Sequence, residues 1–436
     1  MKQLKWIIVT WLVLLPVLCQ AAEDTYGYPI PGPYMATILG TPKNLKPELP
    51  EKVPVKTLVL DVIPGIEKPD IFFYDNGLKC SFVAQNHKAP LAFLIVGTGS
   101  QSDAAKYQTI MKDLYKAGCH VVILPSTAHP NFIISASQSH IPGDLAEDAA
   151  DIYRVMEVVW NKVKGDIEVT EFYMVGFSLG GTQAAFVSKL DEERKIFNFR
   201  KVVMVNPAVN LYSSISQIEG LLNGIPGGPV MIGAFFNDIF SKLVDFYQKG
   251  DRVEINDEFF FDVYKAKLVS PQEAGAIIGI SFRVSLANLI FVSDVMTNGG
   301  YVVPKNRVLK NSDDFSDYFQ VSMHLSFFDY FNEYFYPYFQ GKRLGLTKEA
   351  LIEAQGLKSI EGYLKSSPKF GVITNENDFI LAPGELDYLR QLFGERVKVY
   401  PRGGHMGNFE YWENLSYMKK DIIGLIIDKG GNGHDQ

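Results

Sequence analysis

The stretch Phe172-Tyr173-Met174-Val175-Gly176-Phe177-Ser178-Leu179-Gly180-Gly181 decides how this chain is read. Its first four residues are apolar or aromatic, as in a strand buried on both faces, and Gly181–Leu190 carries a helical pattern. Gly-x-Ser-x-Gly therefore falls in the turn between a strand and a helix. Such a turn is sharp and holds its central residue under strain, so the neighbours must lack side chains. Gly176 and Gly180 meet that need. The helix starts beside Ser178, and its N-terminal dipole favours negative charge developing there. Alone the pattern is weak; between a buried strand and a helix it marks Ser178 as a candidate nucleophile.

Strands and helices alternate on both sides of this turn. Ala89–Val96 is a continuous apolar run, Asp103–Ala117 has helical spacing with Gly118 at its end, and His120–Leu124 is a second apolar run. Asp144–Val163 reads as a long helix and Lys201–Asn206 as a strand. Upstream, Lys56–Ile63 and Asp70–Val83 carry β-branched and aromatic residues around the turn Asp75-Asn76-Gly77 and predict an initial antiparallel pair. The alternation stops near Leu211 and resumes with Lys369–Thr374 (strand), Gly384–Phe393 (helix), Arg396–Tyr400 (strand) and Trp412–Ile427 (helix). Between them, 158 residues are predominantly helical in pattern with Gly/Pro breaks. Alternation of this kind predicts an α/β fold with right-handed crossovers. The expected sheet is mostly parallel, of about eight strands, with a large helical cap between the sixth and seventh. The boundaries read as an extended, Pro/Gly/Tyr-rich surface arm at 22–54, core at 55–210 and 369–430, cap or lid at 211–368, and a disordered tail at 431–436.

The chain has 436 residues, 47% hydrophobic and 21% charged, enough for a sizeable core. A formal net charge of −7 argues against nucleic-acid binding, which draws on clustered Lys and Arg. Lys2 and Lys5 precede an apolar run from Trp6 to Leu18, and Cys19-Gln20-Ala21 offers small residues for cleavage. Residues 1–21 read as a signal peptide; the run is shorter than the roughly 20 residues of a membrane span. The expected location is periplasmic or secreted, with an uncleaved anchor as the alternative. Cys80 and Cys119 then remain, and read as two small buried apolar residues rather than a pair.

Two further segments carry chemistry. Phe370–Asp378 is a strand running into a loop that ends in a carboxylate, and Lys398–Asn408 is a strand followed by the Gly-flanked His405. Together with the serine turn, they make the chain resemble the α/β-hydrolase superfamily, and within it the esterase- and lipase-like serine hydrolases. The resemblance covers about 218 residues, 55–210 and 369–430. That family orders its residues as nucleophile, acid, histidine, the last two after late strands. The resemblance implies Ser178 as nucleophile, His405 as general base and Asp378 as the acid that orients it, with Glu376 as the competing carboxylate. It further implies oxyanion donors at Leu179 N–H and, from the loop Gly97-Thr98-Gly99, at Thr98 N–H. Asn206–Asn210 carries no carboxylate, which favours the later acid. His87, His120, His129, His140 and His324 read as capping, core or surface residues. Gly97-x-Gly99 is a weak near-match to a dinucleotide fingerprint, and no cofactor or metal is expected.

Between Phe315 and Phe339, twelve of twenty-five residues are aromatic, and Phe327, Tyr330, Phe331, Tyr334, Phe335 and Tyr338 recur at helical spacing. They read as cap core, with some lining an apolar acyl pocket. Ser214–Gln248 reads equally as a mobile lid or as a surface for peripheral membrane contact. The function implied is hydrolysis of a small-molecule or lipid ester with an apolar acyl group. A peptidase, thioesterase or acyltransferase would use the same residues, and a non-catalytic envelope protein binding a lipid or partner would keep the fold.

Overall fold

Eight strands form one sheet in a computed structural model that describes residues 25–249 and 257–424. They are β1 (Lys56–Leu60), β2 (Leu78–Val83), β3 (Ala89–Ile95), β4 (His120–Leu124), β5 (Val169–Phe177), β6 (Lys201–Val205), β7 (Phe370–Asn375) and β8 (Val397–Tyr400). Their order across the sheet is β1-β2-β4-β3-β5-β6-β7-β8. β2 runs antiparallel to both β1 and β4, and every other pair is parallel. The mostly parallel α/β sheet read from the alternation is the one observed.

The helices before β6 are α1 (Pro33–Leu39), α2 (Ala105–Lys116), α3 (Pro130–Ser135), α4 (Leu145–Val163) and α5 (Leu179–Arg194). Between β6 and β7 the regular elements are helical: α6 (Leu211–Gly220), α7 (Ile232–Lys249), α8 (Asp257–Lys265), α9 (Pro271–Thr297), α10 (Ser316–His324), α11 (Phe327–Tyr330), α12 (Tyr336–Lys342), α13 (Lys348–Ala354) and α14 (Glu361–Ser366). Helix α15 (Glu385–Phe393) joins β7 to β8, and α16 (Trp412–Tyr417) follows β8. Helix α9 is long and apolar enough to cross a membrane, yet Ala274, Ala276, Ile280, Ala287 and Ile290 are buried within this chain.

Burial on both faces explains the unbroken apolar runs. Leu91, Phe93 and Ile95 of β3 pack toward α4, α5 and the aromatic residues after Phe327. Ala92, Leu94 and Val96 pack toward α2, Tyr400 and Tyr26, Tyr28 and Ile30. Because β3, β5, β6, β7 and β8 are parallel, their carboxyl ends lie along one edge, where clefts form in open α/β sheets. Gly97, Ser178, Asn206, Asp378 and His405 all follow those ends.

The structure corrects two expectations. The strand expected over Asp70–Val83 begins only at Leu78, and Asp70–Phe72 is one turn of 3₁₀ helix. Asp75 is not at a hairpin tip: its buried carboxylate accepts from Lys68, Ser135 and Asn131 and caps the Gly77 N–H. The segment 22–54, expected as a surface arm, holds α1 and buries Tyr26, Tyr28 and Ile30. Cys80 and Cys119 are buried free thiols on opposite faces of the sheet, so no disulfide joins them. The expected signal peptide at 1–21 and tail at 431–436 lie outside the described residues.

Phe93 is fully buried in the central strand and touches Phe172 and Phe197. Phe93→Ala is expected to cost about 3–5 kcal/mol of stability, measured as a drop in the urea unfolding midpoint at unchanged slope.

Candidate active site

The backbone of Ser178 sits at φ 55 and ψ −121, a conformation that non-glycine residues rarely adopt. Its surroundings hold it there. A Cβ on Gly176 would lie 2.0 Å from the Gly180 carbonyl oxygen, and one on Gly180 would lie 2.2 Å from that of Ile95. Both positions exclude any side chain, as the turn requires. Ser178 N–H donates to Val205 O at 2.9 Å, and the Ser178 carbonyl accepts from Gly181 and Thr182 to begin α5. The side chain is thereby pinned at the ends of β5 and β6.

His405 reaches Ser178 from the loop after β8. Its Nε2 lies 2.8 Å from Ser178 Oγ, and its Nδ1 lies 3.1 Å and 3.2 Å from the two Asp378 oxygens. The side chain of Asp378 is completely buried and that of His405 is 14% exposed. Three residues expected from sequence thus converge. Glu376, the competing carboxylate, instead pairs with Arg390 on the surface. Sequence reading passed over Asn206, whose Nδ2 donates to Asp378 Oδ2 at 2.7 Å. Its signal in the sequence is its place at the end of β6, where a polar side chain other than a carboxylate can also reach the acid. With Ile380 N–H at 3.3 Å, Asn206 fixes the orientation of the acid.

The loop after β3 packs against the serine, and a Cβ on Gly97 would come within 3.3 Å of Ser178 Cβ. Thr98 follows, and lines the space on both sides of Ser178. Leu179 opens α5, so its N–H is one of the donors a helix leaves unpaired. On one side lies an apolar chamber, walled by Leu211, Ile215, Leu286, Leu289, Phe327, Phe331 and Phe335. On the other, an open and more polar groove runs between α1 and α9, bordered by Lys106, Ser281 and Glu410. The aromatic residues divide accordingly: Phe327, Tyr330, Phe331 and Phe335 reach the chamber, whereas Tyr334 stacks on Tyr301 away from it. His129 caps α3, and His120 bridges Gln85 N–H and Glu168 O. Burial lowers the pKa of both rings. Among the described residues no three His, Cys, Asp or Glu side chains are grouped to hold a metal.

No protein-family model matches the chain, and no curated protein matches it. Solved structures do. An esterase from Rhizomucor miehei is 13% identical, with a TM-score of 0.43, covering 92% of this chain and 98% of that one. The hyperthermophilic esterase from Pyrobaculum calidifontis is 14% identical at a TM-score of 0.40, over 90% and 88% of the two chains. The thioesterase domain from the curacin biosynthetic pathway is 11% identical at 0.36, over 85% and 99%. At these values the fold assignment rests on strand order and the serine turn, not on the likeness.

A buried polar cluster underlies the chamber. Asp148 Oδ2 accepts from Thr127 Oγ1, Gln183 Nε2 and Gly143 N–H. Burial, reinforced by the nearby Asp151 and Asp144, holds its carboxyl protonated well above the ordinary range. An acid whose pKa is raised by folding leaves stability intact below its unfolded value and erodes it as pH rises toward the folded one. Asn at this position keeps an acceptor oxygen and cannot ionise. Asp148→Asn is therefore expected to gain stability over wild type between pH 4.5 and pH 8, by up to about 1.4 kcal/mol per pH unit. Paired urea titrations at the two pH values check this; parallel losses in both proteins would contradict it.

Proposed function

We propose that this chain, whose architecture is the α/β-hydrolase fold, cleaves a carboxylic ester through an acyl-serine intermediate on Ser178. The observation that carries the reading is the unbroken line from Ser178 Oγ through the His405 ring to Asp378, at 2.8 Å and 3.1 Å. A serine hydroxyl is a weak nucleophile until a base removes its proton. His405 Nε2 takes that proton as Oγ attacks the ester carbonyl carbon. Asp378 accepts from Nδ1–H, which selects the tautomer with a free Nε2 and stabilises the imidazolium that follows. The carbonyl oxygen becomes an oxyanion held by the N–H groups of Leu179 and Thr98. As the tetrahedral adduct collapses, His405 returns the proton to the departing alkoxide. Water, deprotonated by the same ring, then releases the acyl group and regenerates the serine.

The two spaces flanking Ser178 support a division of the substrate. The aromatic and aliphatic chamber suits an apolar acyl group, and the open groove suits the alcohol portion and admits water. The signal-like segment 1–21 supports an exported enzyme.

Ser178→Ala and His405→Ala are each expected to lower kcat on activated acyl esters by roughly 10⁶. Fluorophosphonate labelling of wild type should vanish in Ser178→Ala. Folded wild type that takes no label, or mutants that match it in turnover, would remove the mechanism. Ile215→Phe, by narrowing the chamber, is expected to lower kcat/KM for long-acyl esters roughly 10- to 100-fold relative to short ones, within what a hydrophobic pocket can discriminate. A chain-length series checks it.

A further inference from the structure

We infer that residues Tyr26–Lys46 form a strap that holds the His405 loop in its working geometry, with Thr37 as the positioning residue. The inference rests on the proposed role of His405. The loop between Tyr400 and Trp412 follows a contorted path, with positive φ at Gly403 (147°), Gly404 (57°) and Met406 (64°). Yet it must keep one imidazole within hydrogen-bond reach of two partners on other elements.

The restraint comes from the far end of the chain. His405 N–H donates to Thr37 Oγ1 at 2.9 Å, and the Thr37 hydroxyl donates to Pro33 O at 2.8 Å. That second bond turns the hydroxyl proton away, so an oxygen lone pair faces the histidine amide. A Cβ on Gly404 would lie 2.0 Å from Pro33 O, and one on Gly407 would lie 2.2 Å from Ala36 O. The loop backbone is thus in direct contact with α1, and these two glycines permit it.

Bonds on both sides of Thr37 keep the strap down. Upstream, Arg402 donates to Tyr28 O at 2.6 Å. Downstream, Thr41 Oγ1 donates to Gly407 O at 3.1 Å, and Lys46 pairs with Glu410 at 3.0 Å. Asn377, next to the acid, joins the three parts. Its Oδ1 accepts from Gly404 N–H at 2.9 Å, and its Nδ2 donates to Pro31 O at 3.0 Å. Strap, acid loop and histidine loop are therefore joined through Asn377 by hydrogen bonds, and α1 also walls the groove beside Ser178.

Thr37→Val keeps the shape and removes the hydroxyl; Thr37→Ser keeps the hydroxyl. Misplacement of a catalytic group by about 1 Å can cost 10²-fold. The full-length Val variant is expected to lose roughly 10- to 100-fold in kcat with KM within about twofold of wild type, while Ser recovers most of the loss. Selective ¹⁵N labelling of histidine, with the His405 signals assigned through His405→Gln, gives a readout that needs no turnover. The His405 ring resonances should shift in Val and stay in Ser. Wild-type kcat and ring signals in the Val variant would overturn the strap, as would a Ser variant as impaired as Val. If Ser178→Ala keeps full activity, the proposed mechanism falls, while the ring resonances still report whether Thr37 sets the histidine.

Discussion

The structure depends on one backbone conformation, the left-handed turn at Ser178. An L-residue is held there only if the surroundings overdetermine it. Here the N–H is tied to the end of β6, the carbonyl starts α5, and two glycines let the turn approach β3 and the first residues of the helix. None of these restraints would exist without β5 and α5 both packed into the sheet's core. The outcome is a hydroxyl lifted clear of the sheet at the end of its central strands, with a helix N-terminus behind it. Every other element of the site is arranged around that fixed point.

Around it the chain separates two environments. Toward the helices between β6 and β7, the walls are aromatic and aliphatic, and Tyr212, Phe327 and Phe331 pack edge-on or tilted against one another. Toward the N-terminal segment, the walls are mixed and open. One serine thus faces an interior that rejects polar groups and an exterior that accepts them. The carboxyl beneath the chamber, Asp148, has its pKa raised well above the ordinary range, because charging it there costs desolvation and meets the nearby Asp151 and Asp144.

Ser178, Asp378 and His405 could be read from the sequence because each follows an apolar strand and is marked by glycine or by a loop of recognisable chemistry. Those are local signals. Asn206 and Thr37 could not, since their roles exist only once distant segments meet: Thr37 and the His405 amide are 368 positions apart. Tyr26, Tyr28 and Ile30 do alternate with exposed residues as a half-buried extended segment should. Three positions are too short a period to distinguish from a Pro/Gly-rich extended arm. Asp75-Asn76-Gly77 misled for the opposite reason. It has good hairpin chemistry, but the Asp75 side chain serves a tertiary anchor to Lys68 and α3.

The clasp between the two ends of the chain also sets an order of events in biosynthesis. The residues that Tyr26 and Tyr28 pack against, Tyr400 and Tyr411 among them, are synthesised hundreds of residues later. Until then these tyrosines lack the rings they pack against. A chain cut short by translation arrest or proteolysis would leave its aromatic N-terminal segment exposed and Ser178 without its His405 neighbour. The His405 loop and the cover for these aromatic rings therefore arrive with the same late-synthesised segment.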